Sequence, residues 1–399
     1  MEVPRSRCSA PLRLSYLPDE CLVLVFGCLS ITERRADWDD DSLEDEPEKL
    51  AEEETVTAEL PPGLAGFLGV ACAAGHLREL SLVVGNVQVH LGPWLLPAAS
   101  TLRSLHLHQD CIDLALSAAA PLHRLTALQE LHLSVDSADL LIERGCRLPS
   151  QSLTLLRLGT ENSGDSHPHL PPQVSTLSAL RTLRLDGTFA PTGFEALAGL
   201  PSLRCLCMHD CLALPHCLSE LASLQELSIC QVRVLSFQPP QEVQRQAVAD
   251  SLPFLSEGLA ELRRLTSLLL DVSNTLPIST LPADLGASLP LLRRFAWRGT
   301  HEDEGALPVG LTSLRAAVLP AAVAGRSLAQ LAAAPGLEHL ALWDSGFAPV
   351  LRVVRQLPSL RRLQPSLSGP DLQHVVTAVQ GLAPALVVEP FNPRQWWVD

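Results

Sequence analysis

The apolar residues of this chain recur in one arrangement, Leu-x-x-Leu-x-Leu, whose last two leucines alternate with polar or small residues. It stands at Leu77-Leu80-Leu82, Leu102-Leu105-Leu107, Leu128-Leu131-Leu133, Leu153-Leu156-Leu158 and Leu180-Leu183-Leu185. Related forms follow at Leu203-Leu206-Met208, Leu224-Leu227-Ile229, Leu265-Leu268-Leu270, Leu292-Phe295-Trp297, Leu314-Ala317-Leu319, Leu337-Leu340-Leu342, Leu360-Leu363 and, as a degenerate closing unit, Leu382-Ala385-Val387. Successive starts lie 25, 26, 25, 27, 23, 21, 41, 27, 22, 23, 23 and 22 residues apart. The alternating part predicts a short strand with one buried face, because neighbouring strand side chains point to opposite sides. Between strands, Ala196-Leu-Ala-Gly-Leu-Pro-Ser-Leu203 and Cys217-Leu-Ser-Glu-Leu-Ala-Ser-Leu224 step their apolar residues by three or four, which predicts a helical turn behind each strand. No single unit can bury its own leucines, so the units must stack around one continuous core.

This motif and period resemble leucine-rich repeats, whose units run to roughly 20–29 residues. The resemblance implies an α/β solenoid with a curved parallel sheet on the concave side and helical turns on the convex side. It would span about 61–388, with regular repeats from about 75 and 12–13 units in all. The spacing of 41 between Leu224 and Leu265 exceeds one unit and contains Gln238-Pro-Pro-Gln-Glu-Val-Gln-Arg-Gln246. That polar, proline-broken stretch predicts a surface insertion near 237–250. Residues 389–399 are left as a C-terminal tail.

Ahead of the repeats, Leu17-Pro18-Asp19-Glu20 has the proline and acids of a helix start. Leu22, Val25, Phe26 and Leu29 then fall at helical spacing. Residues 12–30 resemble the first half of an F-box, a motif often followed by leucine-rich repeats. The resemblance implies that Leu17, Pro18, Leu22, Val25, Phe26 and Leu29, in a helical segment spanning 1–36, contact a Skp-type adaptor within a cullin complex. The concave repeats would then hold the substrate of an SCF-type ubiquitin ligase. The same stretch also reads as an amphipathic cap over the first repeat, in a structural or signalling scaffold such as a cytoskeletal or ciliary assembly.

Charge sharpens this division. The formal net charge is -15, yet 12 acids and one lysine lie between Asp37 and Glu59, so that stretch alone carries -11. Residues 37–60 therefore read as an acidic, disordered linker. Lys49 is the only lysine in the chain. A body this poor in clustered bases is not a nucleic-acid binder, because phosphate affinity needs grouped Lys and Arg. No apolar run reaches the roughly 18 residues of a membrane span. The 11 cysteines are odd in number and scattered, as expected of free thiols in a reducing compartment, the cytoplasm or nucleus.

Residues flanking the inward leucines face the concave surface, which picks out the candidate contacts. Arg157, Arg184 and Asp186 mark the middle strands, and Arg294, Arg298, His339, Trp343 and Arg362 mark the C-terminal half. Arg and Trp dominate binding hot spots, so this second group is the preferred partner-binding patch. His106 and His132 are equivalent positions on adjacent strands, about 5 Å apart, with no carboxylate or fourth ligand assigned to them. Cys205-Leu-Cys207-Met-His209-Asp-Cys211, with Cys230 on the next strand, is the most metal-like string. However, alternate residues on one strand stand about 7 Å apart, too far for easy tetrahedral ligation. No metal or other cofactor is assigned. Nucleophile triads, phosphate loops and paired catalytic carboxylates have no recognisable motif here, which points to a non-catalytic protein-binding scaffold.

Overall fold

The computed structural model describes residues 21–25, 77–84, 95–109, 122–134, 147–160, 169–187, 189, 193–209, 215–230, 257–271, 281–299, 305–343 and 347–392. One 14-stranded sheet runs through them, with strands ordered as in the sequence. Its first half is β1 (Cys21–Val25), β2 (Glu79–Val84), β3 (Ser104–Gln109), β4 (Glu130–Ser134), β5 (Leu155–Gly159), β6 (Thr182–Asp186) and β7 (Cys205–His209). Its second half is β8 (Glu226–Cys230), β9 (Ser267–Asp271), β10 (Arg294–Arg298), β11 (Ala316–Pro320), β12 (His339–Trp343), β13 (Arg362–Pro365) and β14 (Val387–Val388). Every adjacent pair is parallel, and the register aligns the motif leucines: Leu80 with Leu105, Leu131, Leu156, Leu183, Leu206, Leu227 and Leu268 in turn.

The leucines sit where the alternation puts them. Leu102, Leu105, Leu131, Leu156, Leu183, Leu206, Leu227 and Leu268 are wholly buried in one core that extends along the stack. Just before each strand from β2 to β12, one carbonyl accepts two backbone N–H groups from the next unit. Arg78 accepts from Arg103 and Ser104, Arg103 from Gln129 and Glu130, and Gln129 from Thr154 and Leu155. The same link continues to Glu338, which accepts from Arg361 and Arg362. Polar residues at this corner keep their side chains outside the core while their backbones tie unit to unit, which satisfies groups that would otherwise be lost at a bend.

The convex side changes along the stack. In the first half the turns behind the strands are short 3-10 segments, such as Leu122–Arg124, Pro172–Thr176 and Phe194–Gly199. Toward the C-terminus they become α1 (Leu285–Ser288), α2 (Ala321–Arg326), α3 (Leu328–Ala332), α4 (Phe347–Gln356) and α5 (Gly369–Leu382). A helix is about 10 Å wide whereas strands repeat about every 4.8 Å, so the sheet curves with its open face inward.

Two expectations are corrected. Cys21–Val25 is extended rather than helical, and Leu22 and Leu24 pair in register with Leu80 and Leu82. Cys-Leu-Val-Leu-Val also has period two, and a short apolar run rich in valine does not separate helix from strand. The edge of β2 supplies the hydrogen-bonding partner that decides it. At the other end, the closing unit Leu382-Ala385-Val387 is out of step. Leu382 and Val387 are 47% and 50% exposed, while Val388 pairs beside Leu363 and Leu386 is buried. The register is displaced by three residues, because Val388 rather than Ala385 stands beside Leu363, and an odd displacement exchanges the faces of a strand; α5, just before it, turns Val375 and Val379 into the core.

Glu226 and Cys230 pair directly with Ser267 and Asp271, so the long spacing before β9 interrupts no strand contact. The insertion at 237–250 and the acidic segment at 37–60 lie outside the described residues, as do Leu17, Pro18, Phe26 and Leu29.

Candidate functional site: the concave face

The parallel register arranges the residues between the leucines into rows that cross the strands. The central row reads His106, His132, Arg157, Arg184, Cys207, Ser228, Leu269, Ala296, Val318, Ala341 and Gln364. It is polar over β3–β8 and apolar from β9 to β12. The concave face therefore has two chemically distinct halves.

In the polar half, the His106 and His132 rings stack with centroids 3.9 Å apart and planes 19° from parallel. Ser104 Oγ lies 3.0 Å from His106 Nε2 and donates to Glu130 Oε2 at 3.3 Å. Glu130, two residues before His132, shares its face and completes a group of two imidazoles and a carboxylate whose ligand atoms all lie within 4.8 Å of one another. The absence of a carboxylate expected from the sequence is thus corrected. The signal was available, because the i, i+2 rule that places His132 on this face places Glu130 there too. His132 Nε2 is buried with no hydrogen-bond partner among the described residues. Burial, followed by the nearby His106, Arg157 and Arg184, lowers the His132 pKa to about 4, against a smaller opposing effect of Asp186.

One strand further on, Arg157 Nε donates to Asp186 Oδ2 at 2.5 Å, a diagonal ion pair between β5 and β6. His106, His132, Ser134, Arg157, Thr160 and Asp186 line a shallow open depression. Gly187 forms its rim at φ +117°, and a side chain there would meet Thr160 Oγ1 at 2.0 Å. Arg184 lies next in the row, beside Cys207. Cys205 Sγ and Cys207 Sγ are 3.7 Å apart, closer than the backbone spacing of alternate residues suggests, because the two side chains lean together. The hydrogen bond between them favours the Cys207 thiolate, with Arg184 adding to it against the effect of burial, and the same bond together with burial raises the Cys205 pKa. His209 pairs beside Cys230. Cys211 lies outside the described residues.

The apolar half is partly occupied from within the chain. Ala296, Val318, Ala341 and Trp343 form a second small cluster, against which Leu269 and Phe391 pack. Trp343 is only 8% exposed, and its indole N–H donates to the Trp297 carbonyl at 3.0 Å. It therefore serves as a floor for this half of the face. Arg298 lies 5.8 Å from the Trp343 ring centroid and bonds the buried Asp271 at 3.3 Å. Arg362 faces Glu389 at 3.7 Å, Gln364 donates to the same carboxylate, and the Phe391 N–H reaches the Pro365 carbonyl. The start of the expected tail thus lies along β13. Arg294 is exposed at the entry side of β10 and His339 is half-buried at that of β12, with the small Ala316 between them. Arg294, His339 and Arg362 thus share a row at the entry end of their strands, whereas Arg298 and the buried Trp343 stand together at the opposite end.

A regular parallel ladder, leucines in register and one exposed inner face define the fold as a leucine-rich-repeat solenoid. No protein-family model matches the chain, and no curated protein sequence matches it. Solved structures do. One is from the complex of Toll with Spatzle, described as a molecular hub in Drosophila development and innate immunity. It is 13% identical over 79% of this chain and 51% of that one, with a TM-score of 0.41, so this chain spans about half of its length. Another is an internalin of Listeria monocytogenes, 14% identical over 79% of this chain and 85% of that one, with a TM-score of 0.37. Among the described residues, no helix is long and apolar enough to cross a membrane.

Proposed function

We propose that the protein is a non-catalytic scaffold that binds a protein partner on its concave face. The observation that carries this reading is the division of every strand. Its leucines are spent on the core, while the intervening positions present Arg157, Arg184, Asp186, Arg294, Arg298, His339 and Arg362 on one continuous surface. Exposed guanidiniums with fixed carboxylate neighbours suit a partner segment bearing acidic and planar groups. The test compares partners retained by the native chain with those retained by an Arg157→Glu/Arg184→Glu/Arg294→Glu variant and by a convex-side His123→Ala/Thr176→Ala variant. Loss confined to the first variant supports the reading, and retention by both removes it.

The finer reading makes the protein the substrate receptor of an SCF-type ubiquitin ligase. Its support is the residue pattern of 12–30 and the position of that stretch before the repeats. Docking on a Skp-type adaptor as a helix would require Cys21–Val25 to leave the edge of β2, where it is paired. That pairing favours the alternative, a structural or signalling scaffold in which β1 covers an otherwise open sheet edge. A pull-down with purified adaptor, using the native chain and a Pro18→Ala/Phe26→Ala variant, separates them. Binding abolished in the variant supports the ligase receptor, and no binding by the folded native chain leaves the capped scaffold.

A further inference from the structure

We propose that His106, Glu130 and His132 form a binding site for a divalent first-row transition ion, zinc first among them, on the concave face between β3 and β4. This goes beyond the protein-binding reading and does not depend on it. Two imidazoles and one carboxylate make a borderline nitrogen–oxygen set, which suits zinc, copper or nickel rather than the all-oxygen preference of calcium and magnesium.

The three ligand atoms already lie within 4.8 Å of one another. Ligands of a tetrahedral zinc site stand about 3.3 Å apart, so side-chain rotation alone must close the difference. Each side chain comes from a strand held on both sides, which fixes the Cα positions. The imidazole lone pairs lie in the ring planes, so the stacked rings must open toward Glu130 to converge on one point. Ion binding therefore breaks the 3.9 Å stack. The buried, unpartnered His132 Nε2 gains a partner in the process. Ser104, which reaches both His106 and Glu130, holds those two ligands from outside, as hydroxyl and carbonyl partners do around established metal ligands.

The local charge is mixed, since Arg157 and Arg184 oppose a positive charge at His132. Arg157 is paired with Asp186, and Glu130 offers its carboxylate from an exposed position. With Arg184 next in the row, the affinity expected is micromolar rather than that of a closed structural site. Three protein ligands leave a fourth position facing the open groove, for water or a side chain of a bound protein.

The test uses the full chain stripped with a chelator and titrated calorimetrically with zinc, then with cobalt as a spectroscopic probe. One equivalent of zinc is expected, with affinity falling about tenfold or more in Glu130→Gln and in His132→Asn and less in Ser104→Ala. The cobalt adduct should show weak visible bands without the near-ultraviolet charge-transfer band of a thiolate ligand. Circular dichroism checks each fold. Should His132→Asn fail to fold, Glu130→Gln at its exposed position carries the comparison. No saturable zinc uptake by the native chain would overturn the proposal. So would uptake unchanged in Glu130→Gln, or a cobalt spectrum with the thiolate band, which would place the ion at Cys205 and Cys207.

Discussion

His106 and His132 stack face to face across neighbouring strands, at 3.9 Å between ring centroids, and the Ser104 hydroxyl stands 3.0 Å from His106 Nε2. Ser104 serves His106, whereas His132 Nε2 is buried without a partner among the described residues. A charged His132 would face His106, Arg157 and Arg184, with Asp186 offering partial relief. In the chelator-treated chain, its folded pKa of about 4 lies below the ordinary value of 6.5. The unfolded chain thus takes up a proton in a range where the folded chain refuses it, so this group makes stability rise with pH from about 4 to 6.5. Urea midpoints measured across this range should fall toward acid, and His132→Asn should flatten that part of the profile. An unchanged profile in the variant would assign the slope to other groups.

Trp343 is a structural residue of the concave face. Trp343→Phe keeps the ring against Ala296 and Val318 but leaves the Trp297 carbonyl without its indole donor. An unsatisfied buried acceptor costs about 1–3 kcal/mol. Denaturant unfolding should show a loss of that size, and Phe391→Ala should destabilise the same half of the solenoid by exposing the cluster it packs on.

Gly187 marks the tightest backbone position beside the depression. Gly187→Ala forces a side chain into φ +117° and against Thr160. A cost of at least about 1–3 kcal/mol follows from backbone strain alone, and thermal unfolding should register it. Retained stability would mean that the 187 turn can rearrange.

The thiols should differ in reactivity. Cys207 is held toward thiolate by the Cys205 hydrogen bond, whereas burial pushes the Cys217 thiol up to about 11 and its S–H donates to the Phe194 carbonyl. Timed alkylation read by peptide mass spectrometry should modify Cys207 before Cys217, and Cys205→Ala should slow the reaction at Cys207. Equal rates would contradict this ordering.

The repeat was legible because each leucine answers to a local rule: alternation buries it, and the spacing brings the next copy alongside. The same rule placed Arg157, Arg184 and Asp186 on one face. It did not show that Arg157 and Asp186 pair diagonally, since side-chain reach across strands is set by rotamers rather than spacing. Cys21–Val25 was misread because a five-residue apolar run fits both periods, and its partner strand lies far along the chain. Trp343 looked like an available anchor because alternation assigns a face without telling what covers it. Here the apolar neighbours on three strands and Phe391 do so. Glu130 obeys the same alternation, two residues before His132 on β4, but its closeness to the imidazoles depends on rotamers that spacing does not give.

The most direct measurement is site-specific photo-crosslinking in cells that express the protein. Photo-reactive residues would be placed at Ser228 and His339 on the concave face and at Thr176 on the convex turns. If the inner face is the binding surface, the two concave positions yield adducts with a common protein partner and Thr176 yields none. Adducts from Thr176 alone, or equally from both faces, would contradict it.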